Sequence, residues 1–257
     1  MKQILLAILV GLALSGCPTI KYVSNGFNGS GFASRYWDCC KPSCSWTDNA
    51  GKGKEARECD SNQKLITNKS TKSVCEGGSS STCLSQIPFT PSGCSTIGYA
   101  FAAVPAGTKA ICGRCFELTF TGTGKYETRL NHKKLKGKKL IVMASNIGYD
   151  VAGGQFDVMI PGGGVGYYNG CGKILGYNLG AQYGGFLTDC ENEVGYSLSD
   201  DQMYTKRKQC LVKKCGTLPN AQAKNGCLFL ANFLEAAGNP LHTFKEVVCP
   251  DELKKKY

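Results

Sequence analysis

Three segments of the chain distribute apolar side chains in the way that β-strands do. Residues 116–121 alternate apolar and polar positions, residues 139–144 are almost continuously apolar, and residues 155–160 alternate again before Pro161 and three glycines. Successive side chains of a strand point to opposite faces, so these patterns predict two strands with one buried face and one strand that is largely buried. The sequence therefore predicts a mainly β protein with long loops.

One segment has helical periodicity instead. Its apolar side chains recur at intervals of three or four, which places on one helical face Leu230, Phe233, Leu234 and Ala237. We predict a helix over residues 228–237, with Gly238 as its stop. A chain of 257 residues can be served by a single hydrophobic core, so we expect one domain.

The N-terminus has the features of a secretory signal peptide. A lysine at the second position is followed by an apolar run over residues 4–14 and by small residues before Cys17, and such a run is too short to span a membrane. We predict a signal peptide over residues 1–17, a short Gly/Ser/Asn-rich leader over residues 18–33, and a single domain over residues 34–257. Unless Cys17 is lipidated, we expect no membrane association of the mature chain.

Cysteine is the compositional outlier. The chain has 16 cysteines but only two histidines, and no Cys-x-x-Cys pair is followed by histidine at zinc-finger spacing. This composition argues against a zinc or haem site and favours disulfides, which need an oxidising compartment. We therefore expect a secreted, extracellular protein without metal or cofactor.

The formal net charge of +11 raises the question of an acidic partner. Lysines cluster within residues 133–139 and 254–256, whereas the aromatic residues lie elsewhere. A nucleic-acid-binding module would interleave basic and aromatic side chains on one surface. We therefore interpret these clusters as solvated lysines and expect no nucleic-acid partner.

A short motif places an aspartate beside a cysteine cluster. Residues 34–46 read Ser-Arg-Tyr-Trp-Asp-Cys-Cys-Lys-Pro-Ser-Cys-Ser-Trp. Three oxidised cysteines within six residues would fix the local backbone and hold Asp38 in place, as a catalytic carboxylate requires. An aspartate in isolation is more often a turn former or a surface charge. Only the complete motif makes Asp38 a catalytic candidate.

A second motif covers residues 150–166 and contains Asp150, Asp157 and the three glycines. Strand alternation would turn Phe156 and Val158 to one face and Asp157 to the other, beside the glycine turn. A glycine run by itself indicates a flexible turn. The segment has no Gly-Lys-Ser/Thr ending and no helical pattern after it, which disfavours a phosphate-binding loop.

Both motifs closely resemble the signatures of the family 45 glycoside hydrolases, secreted endoglucanases that cut β-1,4-glucan. The resemblance implies that Asp38 is the general base, that Asp157 is the general acid, and that Asp150 assists from a flexible loop. The family is inverting, and inversion needs one ionised and one protonated carboxyl roughly 6.5 to 9.5 Å apart, with a water between base and sugar. Unequal surroundings of the two carboxyls supply that difference.

The resemblance also implies substrate contacts and a fold. Tyr36 would lie beside the scissile sugar and Trp46 would stack on a more distant one, because flat aromatic faces suit pyranose rings. The other expected contacts are Arg35, Gly162 and Gly163, since glycine lets a bulky polysaccharide approach the backbone. The implied fold is a six-stranded double-psi β-barrel with a few helices and long disulfide-tied loops, and we expect a monomer.

The cysteine pairing is likewise implied by the resemblance, since sequence alone cannot choose among connectivities. The implied bridges are 39–171, 40–75, 44–112, 59–83, 115–249 and 190–227, and Cys210 with Cys215 would complete an insertion. Cys94 is left over, either free or paired with Cys17. Gln155 departs from the family, because many fungal members have histidine there, and this predicts altered hydrogen bonding of Asp157.

Two other classes of protein remain open. Expansin-like wall-loosening proteins share the barrel and the acid but lack the base, and the complete motif around Asp38 argues against them. A disulfide-rich carbohydrate-binding or defence protein would need neither carboxylate. Among hydrolase substrates, cellulose, lichenan, glucomannan and xyloglucan all remain open, and Asp150 favours a cellulose-type substrate.

Overall fold

Six strands close into a barrel. The computed structural model describes residues 16–107 and 110–257. In chain order the strands are β1 (Asn28–Tyr36), β2 (Ile97–Pro105), β3 (Cys115–Gly124), β4 (Lys139–Gly148), β5 (Phe156–Met159) and β6 (Pro240–Val247). They are hydrogen-bonded in the closed order β1-β5-β2-β4-β3-β6, with β1–β5 and β2–β4 parallel and the other pairs antiparallel. The mainly β prediction and the six-stranded barrel are confirmed.

The three predicted strands are confirmed: residues 116–121 lie in β3, residues 139–144 lie in β4, and residues 155–160 contain the shorter β5. Their apolar positions form the barrel core together with β2, where all residues up to Val104 are buried. The core also contains His242, whose ring packs among the aromatic rings of Phe156 and Phe244. β5 shows the predicted alternation, because Phe156 and Val158 are buried while Asp157 is half-buried.

The predicted helix has different bounds. The helices of the described residues are α1 (Thr47–Ala50), α2 (Leu130–Leu135), α3 (Gly185–Val194), α4 (Asp200–Gly216), α5 (Ala221–Asn232) and α6 (Asp251–Lys254). α5 begins seven residues before the predicted start, where the Asn220 side chain caps it by accepting from the backbone N–H groups of Gln222 and Ala223. It ends before Glu235 and Ala236, which adopt positive φ values of 55° and 53°. The apolar pattern beyond Asn232 reflects burial in a turn and not a helix.

The N-terminal boundaries are only partly described. Residues 1–15 of the predicted signal peptide lie outside the described residues. β1 begins inside the predicted leader, because Asn28 to Phe32 already pair with β6. The predicted end of the leader at residue 33 therefore falls inside β1, and the barrel begins before it. Within residues 16–107 and 110–257, no helix has the length and apolar character needed to cross a membrane.

Eight disulfides cross-link the loops, the helices and the barrel. Five implied pairings are present, namely 39–171, 40–75, 44–112, 59–83 and 115–249. Cys94 pairs with Cys17, which was one of the alternatives left open. The Cys17 thiol is therefore engaged within the protein in this structure.

Two implied pairings are wrong. Cys190 pairs with Cys210, and Cys215 pairs with Cys227. Cys210 and Cys215 both lie in α4, where five residues of helix separate their Cα atoms by about 7.5 Å along the axis, too far for a disulfide. Each instead bridges α4 to a neighbouring helix, Cys190 lying in α3 and Cys227 in α5.

Candidate active site

The parallel pairing of β1 with β5 places Asp157 in a cleft. Ser34 lies opposite Asp157 in the register of the two strands. Because Phe156 and Val158 are buried, the Asp157 side chain faces away from the core and lines a cleft of about 420 Å³. The side chains that share this cleft include Ser34, Arg35, Tyr36, Tyr126, Asp150, Gln155 and Tyr183.

The surroundings of Asp157 favour its protonated form. Burial raises the pKa of this carboxyl to about 7, against the lowering effect of the Ser34 hydroxyl, which donates to Asp157 Oδ1 at 2.6 Å. The charges of Asp150 and Asp38 raise it further, while Arg35 lowers it. A carboxyl with this pKa can hold a proton near neutral pH and release it to a ligand.

Arg35 supports the site from below the cleft surface. Its guanidinium is buried, with Nε donating to the Gly184 carbonyl at 3.0 Å and Nη2 donating to Thr188 Oγ1 at 3.2 Å. Both acceptors are neutral, and the positive charge of Arg35 acts on Asp157 and on Glu191. Arg35 lines the cleft, but its two hydrogen bonds hold the guanidinium against the start of α3.

Asp38 lies two residues beyond the end of β1, where disulfides fix the chain. The next residue, Cys39, has a positive φ of 62° and is bonded to Cys171, and Cys40 is bonded to Cys75. The Cys40 N–H donates to Asp38 Oδ1 at 2.9 Å. Burial raises the pKa of Asp38 to about 6, with the Cys40 N–H opposing this and the Asp150 charge adding to it.

The Tyr36 side chain lies within electrostatic reach of all three aspartates. Burial raises the pKa of Tyr36 well above its ordinary value, and the charges of Asp38, Asp157 and Asp150 raise it further. Its hydroxyl accepts from Asn146 Nδ2 at 2.8 Å. The charges of Asp38 and Asp150 also act on Asp157, so the three carboxyls lie within electrostatic reach of one another, although Asp38 does not line the cleft that contains Asp150 and Asp157.

Of the remaining predicted site residues, Asp150 lines the cleft, whereas Trp46, Gly162 and Gly163 do not. Asp150 is exposed in the loop after β4. Trp46 is half-buried, with Lys41 Nζ 3.5 Å from its ring centroid, and does not line the cleft. Gly162 and Gly163 are buried: a Cβ at Gly162 would meet the Phe186 ring, and one at Gly163 would meet the backbone of Tyr36. The prediction that these two glycines contact substrate does not fit this packing.

Sequence reasoning missed two polar partners of the site, and it singled out a third whose contact with Asp157 is indirect. Ser34 belongs to the first motif, and its role follows from strand alternation once β1 is known to pair with β5. Asn146 had no local signal, because its side chain joins Tyr36 to the Ser43 N–H, which donates to Asn146 Oδ1 at 2.8 Å. Gln155 was singled out, but it reaches Asp157 through Ser34 and not directly.

The described part of the chain holds no group of three or more His, Cys, Asp or Glu side chains that could bind a metal ion.

Comparison with known proteins agrees with the motifs. A sequence model described as Glycosyl hydrolase family 45 matches residues 30–201, which include all three aspartates. Endoglucanase B of Cellvibrio japonicus is 42% identical over 240 residues, which are 90% of this chain but 45% of that protein. An endoglucanase of the springtail Cryptopygus antarcticus is 36% identical, over 91% of each chain.

A solved structure supports the same assignment. The crystal structure of a cellulase from the Antarctic springtail Cryptopygus antarcticus superimposes with a TM-score of 0.69 and 36% identity, covering 90% of this chain and 96% of that one. At this identity the likeness extends beyond the fold alone. With two thirds of the chain matched by the family's own sequence model, the chain belongs to glycosyl hydrolase family 45.

Proposed function

We propose that this protein is a secreted endo-β-1,4-glucanase that hydrolyses cellulose-type β-glucan with inversion at the anomeric carbon. The relatives named endoglucanase support the reaction class, although the chain spans less than half of the Cellvibrio protein. The observation that carries the proposal is the Asp157 carboxyl, which lines the cleft with a pKa raised to about 7 and is coupled to a second carboxyl, Asp38.

In the proposed step Asp157 is the general acid and Asp38 is the general base. Asp157 gives its proton to the glycosidic oxygen as the C–O bond to the anomeric carbon breaks. Asp38 takes a proton from the water that attacks that carbon from the opposite face, so one water is added across the bond. The lower pKa of Asp38, about 6, suits the ionised partner.

The proposed substrate follows from the cleft. Tyr36, Tyr126 and Tyr183 offer aromatic faces to pyranose rings, and the side chains of Tyr126 and Tyr183 are exposed. Asp150 would assist from its exposed loop, where its charge raises the pKa of both other carboxyls. Eight disulfides suit an extracellular enzyme, and we propose that it acts there as a monomer on β-1,4-glucan.

The test compares reducing-end release from a glucan oligomer by the wild type, Asp38→Asn and Asp157→Asn. We expect each variant to lose about 10²–10⁴-fold in kcat, the usual contribution of general acid–base catalysis. Asp201→Asn is the matched control, because this exposed aspartate in the first turn of α4 lies outside the cleft. NMR of the first product should show the α-anomer.

Three results would overturn parts of the proposal. Binding of glucan by the wild type without any release of reducing ends would favour the expansin-like or carbohydrate-binding class. Full activity of both variants would remove the two aspartates from the mechanism. A β-anomeric first product would mean retention of configuration.

A further inference from the structure

Three hydrogen bonds form a chain from a loop backbone to the Asp157 carboxyl. The Ala152 N–H donates to Gln155 Oε1 at 2.9 Å, Gln155 Nε2 donates to Ser34 Oγ at 2.7 Å, and Ser34 Oγ donates to Asp157 Oδ1 at 2.6 Å. Gln155 also donates its own N–H to the Ala152 carbonyl at 3.0 Å, so the two residues form a closed turn. The chain therefore runs from the loop that holds Asp150 to the candidate acid.

The direction of each hydrogen bond in this chain is fixed by chemistry. A backbone N–H can only donate, so the oxygen of the Gln155 amide must face Ala152 and its NH₂ group must face Ser34. The Ser34 hydroxyl therefore accepts from Gln155, and its one proton points to Asp157 Oδ1. The amide orientation, which is often ambiguous, is settled here by the backbone donor.

We propose that Gln155 and Ser34 are positioning residues that decide which oxygen of Asp157 carries the proton delivered to the glycosidic oxygen. Because Oδ1 is occupied as an acceptor, the proton of the neutral carboxyl resides on Oδ2. This inference rests on the proposed function, in which Asp157 is the general acid. It adds two side chains to the proton-delivery machinery and gives the departure at Gln155 a physical role.

Close backbone packing holds the residues that form these three hydrogen bonds. Gly31 in β1 and Gly154 before β5 pack so closely that a Cβ on either would collide with backbone of the other segment, at Gly154 or at Ser30. Gly154 also has a positive φ of 75°, which glycine adopts without strain. The end of the Asp150 loop is thus fixed against β1 and presents Gln155 to Ser34.

The hydrogen bond from Ser34 also opposes the effect of burial. Ser34 lowers the pKa of Asp157, because its donated hydrogen bond favours the ionised carboxylate. Removing the hydroxyl should therefore keep Asp157 protonated to higher pH. A purely structural role in joining β1 to β5 would not move that ionisation.

The test uses the whole protein, two substrates and the pH profile. A glucan oligomer needs a proton on its sugar leaving group, whereas a dinitrophenyl glycoside leaves without one. For Ser34→Ala and Gln155→Leu we expect kcat/KM to fall about tenfold on the oligomer, part of the general-acid contribution. On the dinitrophenyl glycoside it should stay within about twofold of wild type, because that step needs no acid.

The pH profile supplies a second readout. The basic limb of kcat/KM on the oligomer should move to higher pH in Ser34→Ala. Ser34→Thr retains the hydroxyl and should retain the wild-type limb. Gln222→Leu, on the exposed start of α5, is the matched control for the glutamine change and should alter neither substrate.

The outcomes separate this inference from the function on which it rests. Equal losses on both substrates in Ser34→Ala and Gln155→Leu, with an unmoved basic limb, would reduce these residues to a structural role and overturn the inference. Asp157→Asn should itself lose activity on the oligomer and keep it on the dinitrophenyl glycoside. If Asp157→Asn lost both equally, the assignment of the acid would fail instead.

Discussion

The two candidate catalytic carboxyls, one on β5 and one just past the end of its neighbour β1, are held by different means. Asp157 is an internal strand residue of β5, and side-chain hydrogen bonds from Ser34 and, behind it, Gln155 orient it. Asp38 lies past the end of β1, where the Cys39 and Cys40 disulfides and one backbone N–H fix it. The candidate acid depends on a polar network within the sheet, whereas the candidate base depends mainly on covalent cross-links.

The difference has a physical origin. A β-ladder already fixes the backbone of Asp157, so only the orientation of its carboxyl has to be set. The loop that follows β1 has an isolated bridge from Cys40 to Ser81 instead of a continuous ladder, and Cys39 adopts a left-handed conformation that costs free energy for a residue other than glycine. Disulfides can maintain such a conformation because they limit the alternatives of the chain.

The largest expected effect comes from removing the cross-link beside the base. In Cys39→Ser/Cys171→Ser we expect kcat to fall about 10²-fold in the folded protein, since a displacement of about 1 Å can cost that much. The matched control is Cys115→Ser/Cys249→Ser, which removes a bridge of similar sequence separation away from the cleft. Each variant should lose about 2–5 kcal/mol of stability. Circular dichroism and kcat, measured below both melting temperatures, check this, and equal kcat values would contradict it.

The second effect is a pH-dependent change in the free energy of unfolding, caused by the ionisation of Asp157. The pKa of Asp157 is about 7 in the folded protein against 3.8 ordinarily, so the folded state binds more protons between these values. The free energy of unfolding must therefore fall as pH rises from about 4 to about 7. Asp157→Asn cannot ionise, and we expect it to be more stable than wild type by about 2–4 kcal/mol at pH 8, after allowing for partial exposure.

Denaturant unfolding at pH 8 and at pH 3.5 measures this difference, which should vanish at the lower pH. Asp38→Asn should gain less, because its pKa is raised only to about 6 and its carboxylate accepts the Cys40 N–H. Asp201→Asn should show no such pH dependence. Equal stability of wild type and Asp157→Asn at pH 8 would contradict the raised pKa of Asp157 in the folded protein.

Sequence alone predicted the parts of this molecule in which local pattern and tertiary environment agree. The alternation of residues 155–160 predicted both β5 and the outward direction of Asp157, because the strand period relates side chains directly to faces. The family resemblance predicted five bridges correctly, and three of them start in the motif around Asp38. Strand order could not be predicted from these patterns, because they do not specify which strands pair.

The errors arose where tertiary contacts decide. Gly162 and Gly163 look like open-cleft glycines in sequence, but the fold uses them where Phe186 and the backbone of Tyr36 approach closely. The bridges of the insertion were wrong because helix α4 separates Cys210 from Cys215 and gives each a partner on another helix. Asn146 was missed because both of its partners are distant in sequence.

The smallest expected effect comes from Asp150, whose charge raises the pKa of both Asp38 and Asp157. In the proposed mechanism Asp38 is ionised and Asp157 is protonated, so kcat/KM should fall below pH about 6 and above pH about 7. These limbs are apparent values of the coupled pair. The charge of Asp150 raises both pKa values, so Asp150→Asn should move both limbs to lower pH.

Because Asp150 shares the cleft with Asp157 and not with Asp38, we expect the basic limb to move at least as far as the acidic limb. Asp150→Glu keeps the charge and should leave both limbs near their wild-type positions. A pH series of kcat/KM on one glucan oligomer makes the measurement. Limbs that stay in place in Asp150→Asn, or that move apart, would show that Asp150 acts by contact with substrate and not through its field on the two carboxyls.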